Sequence, residues 1–236
     1  MDVEVSERIE SNNLLLNRFL LENDIDPIEY NWEMYFEKFI ADNKIEFINN
    51  PPRLSLDFYS GFTVKSNYTT AIFINSKMVL ARQRFSAAHE TDHIIYDFDE
   101  NKPTQKFFNV EENTAFYTKE ELAVERLANA GAGVKMLPDI TIVKFMETDI
   151  SFYKMADALG MSFPALYTRL VQFCQTTLNI NDSSASNLIQ RFQNNKDDKY
   201  FINQRLSGWG STKKKKLNTH TRIVYKKIPL PKFQLR

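Results

Sequence analysis

The sequence is poor in the features that mark secreted, membrane-spanning or low-complexity chains. Among its 236 residues there is one cysteine, Cys174, so no internal disulfide can form. With no basic n-region and apolar h-region at its start, the chain is expected in a reducing cytoplasm. No apolar run approaches the roughly 20 residues that a membrane helix needs, which excludes helical membrane insertion as an expectation. Six glycines and eight prolines are too few for a collagen-like or low-complexity chain. An excess of one charge is also missing, with 30 Lys+Arg against 30 Asp+Glu.

What is present is a globular composition, 43% hydrophobic and 25% charged, with length enough for a substantial core. The neutral sum hides a division. Residues 1–198 hold 19 Lys+Arg and 30 Asp+Glu, a net of −11, whereas residues 199–236 hold 11 Lys+Arg and no acid. An acidic body is followed by a basic tail.

Apolar residues recur at helical spacing over 3–23. Asp26-Pro27 reads as the N-cap and first position of a second helix, which carries Trp32, Tyr35, Phe36 and Phe39 inward and ends near Asn43. Ile45–Ile48, Leu54–Tyr59 and Thr69–Asn75 read as strands of a small sheet. Helices are expected over 79–97, over 120–137 and two or three times within 139–174, with a loop holding at most a short strand over 98–118. Ser162 is the expected cap of the last helix, after a turn at Gly160. The polar stretch 179–198 reads as a weakly packed linker. The expected division is a helix at 1–24, a core at 25–138, a helical extension at 139–178, and a linker with tail at 179–236.

Two of the three histidines lie in His89-Glu90-Thr91-Asp92-His93, an H-E-x-x-H. A chance occurrence is expected on the order of 0.003 times in such a chain. On a helix, positions i and i+4 share a face, so His89 and His93 can reach one ion, and neutral imidazole suits zinc. Glu90, one step round the helix, is placed to take a proton from water rather than to bind the ion. A third ligand is needed. One straight helix rarely supplies three, so Asp97 is expected to accept a hydrogen bond from a ligand or to stay solvated. A carboxylate from another helix fits better, and spacing leaves Glu121 and Glu125 both open.

The stretch Ala81–His93 (ARQRFSAAHETDH) resembles the R-F-x-x-A-H-E-L-G-H signature of the ImmA/IrrE family of metallopeptidases. Glu125-Arg126-Leu127-Ala128-Asn129, upstream of Pro138, resembles that family's E-x-x-A-N segment. The likeness runs over roughly 25–175. It implies Glu125 as the third metal ligand, which leaves Glu121 in an exposed first turn. Two departures stand out. Thr91-Asp92 replaces the family's Leu-Gly, so that Asp92 orients a ligand imidazole, pairs with Arg82 or Arg84, or weakens the site. Ala130-Gly131-Ala132-Gly133 follows Asn129, and such small residues suggest close helix packing against the metal helix. Arg82 and Arg84 are expected to brace carboxylates near the site. Tyr96 either donates to an oxyanion or packs with its hydroxyl satisfied.

The fold class expected is α+β: a mainly helical, zincin-like metallopeptidase core with a small β-sheet, followed by a helix pair and a basic C-terminal tail. The resemblance implies one Zn2+ per chain and an endopeptidase that cleaves a protein partner, a helix-turn-helix repressor or an antitoxin, to relieve repression. The alternative from another class is an inactive, metallopeptidase-like module that sequesters a partner or binds DNA through its tail. The helix pair at 152–173 has helix-turn-helix proportions, but Ser162–Leu166 offers almost no side chain for reading bases, so it reads as core. Lys213, Lys214, Lys215 and Lys216 with interspersed aromatics are the candidate polyanion site, against a tail that is solvated or folded onto the acidic body. Cys174 reads as a small buried hydrophobe.

Overall fold

The computed structural model describes residues 2–49, 59–99, 101–110 and 117–207. Helices dominate it. In chain order the elements are α1 (Val3–Glu22), α2 (Trp32–Asp42), β1 (Glu46–Asn49), β2 (Tyr59–Lys65), β3 (Thr70–Ile74), α3 (Leu80–Tyr96) and β4 (Gln105–Val110), then α4 (Lys119–Met136), α5 (Asp139–Glu147), α6 (Phe152–Leu159), α7 (Phe163–Thr176), α8 (Asp182–Asn194) and α9 (Lys199–Ser207). The expected α+β class is observed. No helix among the described residues is long and apolar enough to cross a membrane.

The four strands form one mixed sheet in the order β1-β3-β2-β4. β1 runs parallel to β3, and β2 pairs antiparallel with both β3 and β4. Helix α3 lies against the sheet, α4 packs on α3, and α1 packs on α4. The site grows from this stacking, because α3 is gripped on one side by β2 and on the other by two helices.

Local chemistry explains most boundaries. Asp2, Asn31, Ser151, Ser162 and Asn181 each cap a helix with a side-chain oxygen that accepts a backbone N–H. At α4, Thr118 and Glu121 form a reciprocal capping box. Gly160 ends α6 in the left-handed region, at φ 60°, where any side chain would strike the Arg84 guanidinium.

Three sequence expectations are corrected. Asp26-Pro27 does not begin α2. The Asp26 carboxylate accepts the Ile28 N–H and closes one isolated turn, while Asn31 caps the helix. The break turns Tyr30 inward, where its hydroxyl donates to the Lys135 carbonyl at 2.5 Å. Second, β2 occupies Tyr59–Lys65, where no strand beyond Tyr59 is expected from sequence, while the strand expected over Leu54–Tyr59 falls mostly on residues 51–58, which lie outside the described residues. Third, 179–198 is no loose linker. Helix α8 buries Ala185, Ile189 and Phe192 in the main core, and α9 adds Ile202 and Leu206. The tail from 208 on, including Lys213–Lys216, lies outside the described residues.

Helices α6 and α7 bury Phe152, Met155, Leu159, Leu166, Leu170 and Phe173, as expected of core-packing helices. Cys174 is fully buried, and desolvation pushes its thiol up to about 12.

Candidate metal centre

Helix α3 presents His89 and His93 one turn apart, with ring centroids 4.6 Å from each other. Their Nε2 atoms converge to 2.9 Å. Glu125, from the second turn of α4, brings one carboxylate oxygen to 3.1 Å from His89 Nε2 and the other to 3.4 Å from His93 Nε2. Ligand atoms at zinc distances in a tetrahedron lie roughly 3.3 Å apart. The three groups therefore already enclose a space of about that size. Glu121, the rival for this role, is spent in the α4 capping box.

The outer nitrogens of both imidazoles are engaged. Asn129 Oδ1 lies 3.0 Å from His89 Nδ1, and Asp97 Oδ2 lies 2.9 Å from His93 Nδ1. When those nitrogens donate, both Nε2 lone pairs face the shared space, the tautomer a metal ligand needs. Asp97 thus takes the accepting role expected of it. Asn129 holds the same role by standing one helical turn beyond Glu125, a spacing visible in the sequence.

The electrostatics also favour a cation. Burial opposes charge on His93, but hydrogen bonds to Asp97 and Glu125 outweigh it and lift its pKa to about 10. Burial likewise opposes ionisation of Glu125, yet hydrogen bonds and attraction from the two imidazoles hold its carboxyl at about 2. A proton at His93 occupies the charge position that an ion would take. His89, His93 and Glu125 together form a group able to hold a metal ion. His89 and His93 are buried, whereas the Glu125 side chain is 16% exposed, so solvent reaches the centre from the α4 side.

Glu90 sits beside this cluster with no exposed surface. Its Oε2 accepts a 2.7 Å hydrogen bond from Thr63 of β2, while Oε1 has no hydrogen-bond partner among the described residues. Thr63 and Gly61 alternate on β2 and so share the face toward α3. A Cβ at Gly61 would come within 3.2 Å of Glu90 Oε1, so glycine leaves that atom room. Burial raises the Glu90 carboxyl above its ordinary range, against the pull of the imidazoles and the Thr63 hydrogen bond. From β4, the Phe107 ring stacks on His93 with centroids 4.5 Å apart.

The remaining sequence candidates fall elsewhere. Asp92 pairs with neither Arg82 nor Arg84. It is fully buried, bonded to Lys135 of α4 and to Arg8 and Asn12 of α1. Gly131 makes this possible, because a Cβ there would stand 2.0 Å from Asp92 Oδ1. Of the small-residue stretch of α4, Gly131 packs closely on α3, whereas Ala130 packs with Val5 and Ile9 of α1 and Gly133 faces Arg169 of α7. Arg84 pairs with Glu33 of α2, and Arg82 lies on the first turn of α3, about 10 Å along the axis from His89. The Tyr96 ring faces the Arg8 guanidinium at 4.5 Å and the Lys135 ammonium at 5.6 Å, on the Asp92 side of α3. Arg8, Lys135, Asn12 and Thr63 carried no local sequence signal, since each meets α3 across a long separation in the chain.

A family model described as Peptidase_M78, IrrE N-terminal-like domain, matches residues 54–171. That span covers the two helices that carry His89, His93 and Glu125, with strands β2, β3 and β4. No curated protein matches the chain. The family match, the mostly helical fold with its small mixed sheet, and the converging His89, His93 and Glu125 agree: the chain belongs to the ImmA/IrrE (M78) family of metallopeptidases.

Proposed function

We propose that the protein is a zinc-dependent endopeptidase, with His89, His93 and Glu125 as metal ligands and Glu90 as general base. One observation carries the reading: two imidazole nitrogens and a carboxylate converge on one point beside a buried glutamate whose second oxygen has no hydrogen-bond partner among the described residues. The donor set, two neutral nitrogens and one carboxylate, is that of a catalytic zinc centre with an open position.

Zinc bound there supplies Lewis acidity, polarising the scissile carbonyl and acidifying water. Glu90 Oε1 takes a proton from the attacking water as its oxygen bonds to the carbonyl carbon. Thr63 holds Oε2, so the carboxylate cannot rotate out of line. The same proton then passes from Glu90 to the departing amide nitrogen as the C–N bond breaks, which leaves an acid and an amine. Phe107 covers one face of His93 and limits water there.

By the family resemblance, the substrate is a folded protein, a helix-turn-helix repressor or an antitoxin encoded nearby, and its cleavage relieves repression. The competing reading, an inactive sequestering module, draws its support from Asp92 inside the motif and from the basic tail, and the tail from 208 on lies outside the described residues. Asp92 is bonded to Arg8, Asn12 and Lys135 rather than to a ligand imidazole.

Metal analysis of the purified chain, with a proteolysis assay against the neighbouring DNA-binding protein, tests the proposal. The expected result is about one zinc per chain and cleavage that Glu90→Ala abolishes without unfolding the protein. Cleavage that survives Glu90→Ala would sink the mechanism, and a metal-loaded chain inert on its neighbour would favour the sequestering module.

A further inference from the structure

The family match begins at residue 54, yet a residue of α1 reaches the metal centre from outside it. The Arg8 guanidinium is a two-armed bridge. Its Nη2 donates to Asp97 Oδ1 at 2.7 Å, and its Nη1 binds Asp92 Oδ2. The other Asp97 oxygen is the one bonded to His93 Nδ1. We infer that Arg8 is a positioning residue for the metal centre, holding the Asp97 carboxylate that orients His93. The inference rests on the metal-ligand reading given above.

Three observations separate this role from plain charge balance. Asp92 already has Lys135 on its other oxygen, so Arg8 is not its sole counter-ion. Asp97 is the C-cap of α3, at the end of the helix, and its side-chain partners among the described residues are His93 and Arg8. Without Arg8 that carboxylate is free to swing toward solvent and His93 loses its fixed acceptor. The guanidinium is itself immobilised, lying over the Tyr96 ring with its side chain only 10% exposed. A forked, planar cation can hold two carboxylates at once, which an ammonium cannot do in the same geometry. Val5 and Ile9, packed on Ala130 and Val134, fix the helix that carries it.

The test is metal binding by the full chain, using zinc in competition with a chromophoric chelator and cobalt(II) for its visible ligand-field bands. Removing an outer partner of a metal-bound histidine weakens affinity about 10- to 100-fold. Arg8→Gln should therefore weaken zinc binding about tenfold and shift the cobalt bands. Arg8→Lys, which keeps the buried charge and guards against loss of the fold, should give a smaller loss of the same kind. Leu20→Ala opens a cavity at the other end of α1, about 18 Å along the axis from Arg8, so it should lower the melting temperature and leave affinity and bands unchanged. Asp97→Asn should weaken binding, and adding Arg8→Gln to it should cost nothing further. Affinity within twofold of the unaltered chain in a folded Arg8→Gln, or additive losses in the double variant, would overturn the inference alone. An unaltered chain that binds neither metal would overturn the zinc reading and this inference with it.

Discussion

Helix α3 carries two buried polar clusters on its two sides, and they are built to opposite ends. On one side, Asp92, Asp97, Arg8 and Lys135 form a set of two anions and two cations, with Asn12 completing the hydrogen bonds. On the other side, His89, His93, Glu125 and Glu90 leave two imidazole nitrogens facing each other and one carboxylate oxygen with no partner among the described residues. Buried polar groups are ordinarily satisfied, because each unmet group costs about 1–3 kcal/mol. The closed cluster serves the fold, and the open one is where a ligand and chemistry belong. The clusters also meet, since Asp97 belongs to the first and is hydrogen-bonded to His93 of the second.

The sharpest break of this contrast is Lys135→Met. Removing one partner of a buried ion pair costs about 3–5 kcal/mol, and Lys135 is fully buried against Asp92. Urea denaturation should show a loss of that order. A loss below about 1 kcal/mol would mean that the cluster is not the closed structural unit described.

Next in size, Gly131→Ala should cost about 1–3 kcal/mol by overpacking the Asp92 carboxylate. Relief of that loss by Asp92→Gly in the same chain would place the clash at this contact. Equal losses in both backgrounds would place it elsewhere.

Smallest per step, taken one pH unit at a time, is a dependence of metal binding on pH. With its pKa raised from 6.5 to about 10, His93 contributes stability to the metal-free fold that is fully present below pH 6.5 and lost as pH rises through 10. Glu125, lowered from 4.5 to about 2, contributes stability that is present above pH 4.5 and lost as pH falls through 2. Together these groups favour the metal-free fold most between pH 4.5 and 6.5. A metal must displace the His93 proton, so affinity should rise about tenfold, ~1.4 kcal/mol, per pH unit from pH 6 to 8. Chelator competition at three pH values measures this, and a flat profile would remove His93 from the ligand set.

The open cluster was far more legible in the sequence than the closed one. His89, Glu90 and His93 follow from helical spacing alone, and Asp97 follows as a partner one turn on. Glu125 needed the family resemblance, because Glu121 has the same spacing and differs only in being used as a cap. Arg8 and Lys135 were beyond reach: their meeting with Asp92 depends on how α1 and α4 stack on α3, which no local pattern encodes. The misreading of 179–198 has a different cause. Ala185, Ile189 and Phe192 do keep a helical period, but the Asn, Ser and Asp that surround them give the stretch the composition of a linker. β2 is hidden in the sequence because Ser60-Gly61 at its start reads as a turn, whereas Gly61 in the strand makes room for Glu90.

The contact between Gly131 and Asp92 bears on how such a sequence can arise. With 2.0 Å between a Cβ at 131 and Asp92 Oδ1, a side chain at 131 and a carboxylate at 92 fit together only if one of them shifts. Asp92 is cheap to acquire only in a chain that already has glycine at 131. Once Lys135 was drawn in beneath it, reversion at 92 would leave a buried ammonium without its carboxylate. The pair works as a ratchet: easy to enter in one order, costly to leave in either, and a durable mark of descent on any lineage that passed through it.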